Sequence, residues 1–212
     1  MTNVFILGAG GFGREILDFF TDLGREKDVL GFLDENSQIK GEIINNKTVY
    51  HTSQLNEYNP EDVKLVCGIG IPSKSRTKII EKTKKMGFEY ETIIHPSVMI
   101  SKWVEVGEGT VICAGSILTT QIKIGNFSII NLACTVGHDV TIGNFTTLSP
   151  GTHISGNVSI GNECFFGTGS VTVQGVEIGD NSIIGAGAVI SKSIPSFSLV
   201  VGVPGKVIKN LK

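Results

Sequence analysis

From Ile94 to Ile190 the chain keeps a register of six: Ile94, Ile100, Val106, Ile112, Leu118, Ile124, Ile130, Val136, Ile142, Leu148, Ile154, Ile160, Phe166, Thr172, Ile178, Ile184 and Ile190, of which only Phe166 and Thr172 are not aliphatic. An amphipathic helix repeats at 3.6 residues and a strand at 2.0, so neither produces this spacing. A coil that returns on itself does, and the pattern is that of a hexapeptide-repeat parallel β-helix. Each such side chain contributes about 1.5–3 kcal/mol on burial, which is reason enough for the pattern to exist. The repeat therefore speaks for architecture, and chemistry has to be sought in its exceptions.

A second period overlies the first. Val106-Gly107-Glu108, Ile124-Gly125-Asn126, Ile142-Gly143-Asn144, Ile160-Gly161-Asn162 and Ile178-Gly179-Asp180 recur every eighteen residues, so three hexads make one triangular coil. Glycine beside Asn, Asp or Glu suits a corner, where φ turns positive and a short polar side chain bonds locally. The fourth residue after each apolar position is small or β-branched, as rungs stacked roughly 4.8 Å apart require. Period alone leaves the hand of the coil open.

The 212 residues, 41% hydrophobic with a formal net charge of −2, describe an ordinary globular chain with no electrostatic case for nucleic acid. The chain enters an apolar strand at once, without a basic leader, and its apolar runs fall far short of a membrane span, so a cytoplasmic protein is expected. Cys67, Cys113, Cys134 and Cys164 show no CxxC spacing and are expected to be buried thiols. From Ser191 onward Lys192, Lys206, Lys209 and Lys212 appear with no acid, which reads either as a solvated tail or as an anion site.

The first ninety residues follow another logic. Val4 to Leu7 reads as a buried strand, and Gly8-Ala9-Gly10-Gly11-Phe12-Gly13 opens a helical stretch from Arg14 to Leu23, as in loops that bring backbone up to a phosphate. Val29 to Leu33 is a second strand ending in Asp34-Glu35, where a ribose-reading carboxylate belongs. Only Leu65-Val66-Cys67, with Ile93-Ile94 as a further candidate, remains for strands, too little for both halves of a dinucleotide site. A nucleotide-sugar fits instead: diphosphate near Gly10 to Phe12, base or ribose near Asp34 and Glu35, and the crevice completed by Gly68-Ile69-Gly70 with Ser73 and Arg76 beyond it.

Within the β-helix, His138-Asp139 is the only adjacent histidine and carboxylate. Histidine titrates near neutral pH, and a carboxylate that orients it strengthens it as a base. Neighbours on a straight strand face opposite sides, so Gly137 is expected to mark a turn that lets the two meet. His138, His153 and His95 do not share a coil phase, so no metal site is expected.

The run from Gly137 (G-H-D-V-T-I-G-N-F, then S-P-G-T-H-I-S-G-N-V-S-I-G), the N-terminal G-A-G-G-F-G, F-L-D-E, G-I-G and the closing G-V-P-G-K resemble the hexapeptide sugar acetyltransferases. That family includes sialic acid O-acetyltransferases and N-acetyltransferases of UDP- and dTDP-amino-sugars such as the bacillosamine-pathway enzyme. The resemblance spans the chain. It implies a Rossmann-like α/β half domain over residues 1–92, a left-handed parallel β-helix over 93–194, and a tail over 195–212 that completes the coenzyme site. It further implies that His138 is the general base, that Asp139 raises its basicity, and that Asn131 shares the same coil face. Gly10, Gly11, Phe12, Asp34, Glu35 and Gly70 correspond to nucleotide-sugar contacts. Acetyl-CoA would lie between β-helices of a homotrimer, touching Thr147, Gly156, Thr168, Ala186 and Pro204-Gly205-Lys206, with the lysines near its phosphates. Thr147 stands where the bacillosamine enzyme has a histidine, and Ile71-Pro72 replaces a frequent Asn.

The expected reaction is direct attack of an amino-sugar amine on the thioester, the proton going to His138 and the oxyanion resting on the Gly156 N–H. O-acetylation of a sialic acid or glycan hydroxyl would use the same base. A non-catalytic trimeric nucleotide-binding scaffold is the reading that His138-Asp139 argues against.

Overall fold

The computed structural model describes residues 3–71 and 74–212, which fall into two compact units, Met1–Glu91 and Thr92–Lys212. Pro72 and Ser73 lie outside the described residues. No helix among the described residues is long and apolar enough to cross a membrane.

In the first unit β1 (Asn3–Leu7), α1 (Gly11–Asp22), β2 (Val29–Asp34), β3 (Ile43–Ile44), β4 (Lys47–His51), β5 (Val63–Cys67) and α2 (Lys74–Lys85) follow in order. The sheet order is β3-β4-β2-β1-β5, with β1, β2, β4 and β5 parallel and β3 antiparallel at the edge. Burial of Val4 to Leu7, Phe32, Leu33, Leu65 and Val66 marks the sheet as the core. Helix α1 lays Ile16, Leu17, Phe19 and Phe20 on that core, and starts inside the glycine run, with Gly10 as N-cap, rather than after it. Two strands were not read from the sequence. Asn45 and Asn46 both take positive φ, 46° and 63°, the type I′ arrangement that reverses β3 into β4. Ile93-Ile94, by contrast, does not join this sheet: it pairs with Val111-Ile112 as the first rung of the second unit.

The second unit is the expected stack, a left-handed parallel β-helix. Its two- and three-residue strands form three faces: a first beginning at Ile93–Ile94, a second at Met99–Ile100 and a third at Val104–Val106. Residues eighteen apart pair in register, as in Ile129↔Thr147 and Thr147↔Phe165. From Ile112 to Ile190 the last residue of each rung points inward and is at most 4% exposed, Phe166 and Thr172 included. The C-terminal strands Ser198–Val201 and Lys206–Asn210 extend the first face, the last of them antiparallel and exposed along its length.

The corners correct the sequence reading. Glycines of the Ile-Gly pairs do not hold the positive φ; it falls two residues later, on Phe127, Phe145, Glu163 and Asn181. Those glycines answer to crowding instead. A Cβ on Gly143 would stand 2.5 Å from the carbonyl carbon of Gly161 one coil on, and one on Gly125 2.8 Å from that of Gly143. The polar residue after the glycine bonds across coils rather than locally: Asn126 accepts the Glu108 N–H at 2.9 Å, and Asn144 and Asn162 repeat this. Buried small residues at the same corner join the ladder, Ser128 Oγ donating to Gly143 O at 2.8 Å and accepting the Thr146 N–H at 3.2 Å.

Candidate active site

His138 and Asp139 sit on the corner between the second and third faces, between strands Thr135–Val136 and Thr141–Ile142. What turns them toward each other is the backbone of Asp139, φ 59°, not Gly137. This conformation is uncommon for a residue with a Cβ, and neighbouring coils hold it. The Asp139 N–H donates to Thr120 O at 3.1 Å from one side, while His138 O accepts the Asn157 N–H at 2.8 Å from the other. Gly137 is glycine for a steric reason: a Cβ there would approach the Gly156 nitrogen to 2.6 Å.

The result is a 2.8 Å hydrogen bond between His138 Nδ1 and Asp139 Oδ2, on side chains 51% and 55% exposed, so both remain open to a substrate. A carboxylate only accepts, so in the neutral imidazole the proton resides on Nδ1 and Nε2 presents its lone pair. Nε2 lies against the next coil, 2.6 Å from where a Cβ of Gly156 would be. The Gly156 N–H has no hydrogen-bond partner among the described residues. A base and an uncommitted backbone donor are thus side by side, which is the equipment for acyl transfer.

Other predicted residues are placed less simply. Asn131 is at the corner between the first and second faces, the opposite end of the rung Thr135–Val136 from His138, and its Oδ1 accepts the Leu132 N–H at 2.7 Å. Asn131 and His138 thus bound the second face at its two ends. Thr168 and Ala186 share Asn131's corner, two and three coils further along. Above them Gly205 donates to Val189 O at 2.8 Å, tying the Pro204-Gly205-Lys206 turn to the last rung of the second face. Thr147 is elsewhere again, 2% exposed on the outward side of the first face. Gly156 alone of the coenzyme residues stands with His138.

The N-terminal turn sorts its glycines by purpose. Gly8 takes φ +103°, and a Cβ on Gly13 would stand 2.0 Å from Gly8 O, so both are required by the fold. Gly10 and Gly11 face open space, where a Cβ would meet nothing within 4 Å. Packing does not require glycine at either position. The α1 N-terminus has no side-chain cap and no acid in its first turn, leaving amide donors for an anion. Phe12 packs on Gly70, 3.2 Å from the position of a Cβ there. Asp34 is engaged on both oxygens: Oδ2 accepts the Ala9 N–H at 3.0 Å and Oδ1 the Asn36 N–H at 2.9 Å, so it shapes the glycine turn. Glu35 is exposed. Arg76 is 1% exposed, and burial lowers its pKa while Cys67 opposes that.

Cys134 and Cys164 are buried, and burial pushes both thiols up to about 11. Among the described residues no group of three His, Cys, Asp or Glu is placed to hold a metal; His153 Nδ1 is instead 2.9 Å from Thr135 Oγ1.

Comparison with known proteins decides what this arrangement belongs to. The PglD N-terminal domain model matches residues 3–83, and the hexapeptide repeat of succinyl-transferase model matches residues 157–192. The acetyltransferase domain of PglB from Neisseria gonorrhoeae is 32% identical over 98% of this chain and 100% of its own, with a TM-score of 0.91. The chain belongs to the hexapeptide-repeat sugar acetyltransferases. The acetyltransferase is also similar to perosamine N-acetyltransferase from Caulobacter crescentus, solved with CoA and GDP-perosamine: 29% identity over 99% of this chain and 98% of that one, TM-score 0.91. WeeI from Acinetobacter baumannii AYE is 28% identical over 98% and 100% of the two chains, TM-score 0.86. No curated protein sequence matches. Sequence reasoning missed the Asp139 backbone as the turn and the placement of His51, which closes β4 beside Asp34.

Proposed function

We propose that this enzyme moves the acetyl group of acetyl-CoA to the amine of a nucleotide-linked amino-deoxy-sugar, with His138 as general base. One observation carries the reading: an imidazole oriented by Asp139, its Nε2 free, next to an uncommitted Gly156 N–H. The neutral amine attacks the thioester carbonyl carbon, and His138 Nε2 accepts the proton that the amine loses. The carbonyl oxygen becomes an oxyanion facing the Gly156 N–H. Collapse of the tetrahedral intermediate breaks the carbon–sulfur bond, and the imidazolium returns its proton to the CoA thiolate. Asp139 stabilises the imidazolium in between.

The open glycines Gly10 and Gly11, the bare α1 N-terminus, Phe12, Asp34, Glu35 and Gly70 support a nucleotide-sugar acceptor on the first unit. A relative solved with CoA and GDP-perosamine supports the amine as nucleophile and adds GDP to UDP and dTDP as carriers.

The coenzyme groove is assigned to a homotrimer. Outward residues of the third face are Glu105, Lys123, Thr141, Ser159 and Glu177, suited to water. Those of the second face are Met99, Ile117, Thr135, His153, Val171 and Val189, with Met99 67% and Ile117 39% exposed. That column, apolar except at Thr135 and His153, separates the His138–Gly156 corner from the Thr168–Ala186 corner. Packing second faces about a threefold axis brings one chain's first corner beside its neighbour's second, with Asn131, Thr168, Ala186, Pro204 and Lys206 from one and Gly156 from the other. Lys206 and Lys209 then answer the CoA phosphates. The reading places the enzyme in the cytoplasm.

The test is incubation with acetyl-CoA and UDP-, dTDP- and GDP-linked 3- and 4-amino-sugars, with CMP-sialic acid as hydroxyl acceptor, following thiol release. N-acetylated sugar nucleotide is the expected product. Transfer to a hydroxyl alone would make this an O-acetyltransferase, and no transfer with intact nucleotide binding would make it a scaffold.

A further inference from the structure

Gly10, Gly11 and Asp34 account for a diphosphate and a ribose but leave the base without a contact. In an open parallel sheet the ligand crosses the carboxyl ends of the strands. With order β4-β2-β1-β5, a diphosphate at the β1–α1 turn and a ribose at the end of β2 direct the base over β4. Strand β4 ends on His51, the register partner of Asp34.

His51 is held in one tautomer. It is the N-cap of the short helical turn Thr52–Glu57, and its Nδ1 accepts the Ser53 N–H at 3.2 Å and lies 2.7 Å from Ser53 Oγ. The Gln54 side chain accepts the His51 N–H at 3.1 Å, fixing the residue from its backbone side. An Nδ1 that accepts is unprotonated, so the neutral ring carries its proton on Nε2. That atom has no hydrogen-bond partner among the described residues, and the side chain is only partly buried. Ser, Thr, Asn or Asp would cap the turn equally well. An imidazole does so with one nitrogen and presents a fixed donor with the other.

We propose that His51 is the nucleobase contact of this enzyme, its Nε2–H donating to a carbonyl oxygen of a uracil, thymine or guanine base. The inference rests on the reading of the first unit as the nucleotide-sugar site.

The experiment is calorimetric titration of the full chain with UDP, dTDP and GDP, followed by two variants tested with the tightest of the three. His51→Asn keeps an acceptor for the Ser53 N–H but cannot reach with a donor. His51→Gln places an amide N–H where Nε2 stands. The Asn variant should bind about three- to tenfold more weakly, the size of one net hydrogen bond, and the Gln variant within about twofold of wild type. His51→Asn, which keeps the cap acceptor, should melt at the wild-type temperature and His51→Gln, which loses it, a few degrees lower, and both should keep the wild-type KM for acetyl-CoA. If the nucleotide binds wild type and His51→Asn equally, the His51 contact is wrong and the acceptor site stands. If wild type binds none of the three, the acceptor site itself fails and the contact with it.

Discussion

One methyl group tests the active-site geometry. Gly156→Ala keeps the backbone N–H assigned to the oxyanion, and Gly156 does not occupy the left-handed region, so the backbone accepts alanine. Its Cβ, however, would stand 2.6 Å from His138 Nε2, 2.7 Å from Cε1 and 3.0 Å from Cδ2. Carbon and nitrogen rest at about 3.5 Å or more, so the imidazole must retreat by about 1 Å. It can, because the side chain is 51% exposed, and the fold loses little. A displacement of that size at a reacting group costs on the order of 10²-fold. Thiol release with the best amino-sugar acceptor should therefore show kcat about a hundredfold lower, with the melting temperature and acetyl-CoA binding near wild type. In a His138→Ala background the same substitution should add little, since the clash has lost its partner. Gly156→Ala turnover above half of wild type, or a full hundredfold loss on top of His138→Ala, would refute the placement of His138 Nε2 against Gly156.

His138→Ala should lower turnover by about 10²–10⁴ with acetyl-CoA affinity retained by calorimetry, and Asp139→Asn should lower it less; a His138→Ala enzyme near wild-type rate would remove the general base. Gly143→Ala drives a Cβ to 2.5 Å from backbone that cannot rotate away, and should cost about 1–3 kcal/mol by denaturant titration. Gly169→Ala, at φ +68° in open space, should cost about 1 kcal/mol, so equal losses would contradict the crowding argument. Burial pushes the Cys134 and Cys164 thiols up from the ordinary value to about 11, so the unfolded chain releases those protons first. Stability is then full below about pH 9 and declines toward pH 11. Cys134→Ser/Cys164→Ser should flatten that decline in thermal melts; an unchanged slope would assign it to other groups.

The β-helix was legible from the sequence because every sixth residue goes to the interior, and burial at that register repeats without exception from Ile112. Its period even carried the site, since His138 and Gly156 are eighteen residues apart and so stack one above the other. The Gly10-Gly11 turn and Asp34 were legible for a related reason: strand, turn and helix are local, and their glycines and acid fall at fixed offsets. The β3–β4 hairpin was within reach too, through Asn45-Asn46 between two short apolar runs, but strands of two and five residues give little periodic signal.

What the sequence could not decide were relations between chain segments that no period connects. The positive φ of Asp139 is imposed by hydrogen bonds to Thr120 and, through His138, to Asn157, so it is a property of three stacked coils rather than of the tripeptide. The Ile-Gly glycines are small because of the coil above them, which local turn chemistry cannot express. Asp34 divides its carboxylate between Ala9 and Asn36, and His51 gains meaning only from its register with Asp34 across two strands. The sequence determined which residues are buried, because hydrophobicity belongs to side chains. Tertiary structure alone decided which way those side chains face and what they meet, because direction and distance belong to the stacked backbone.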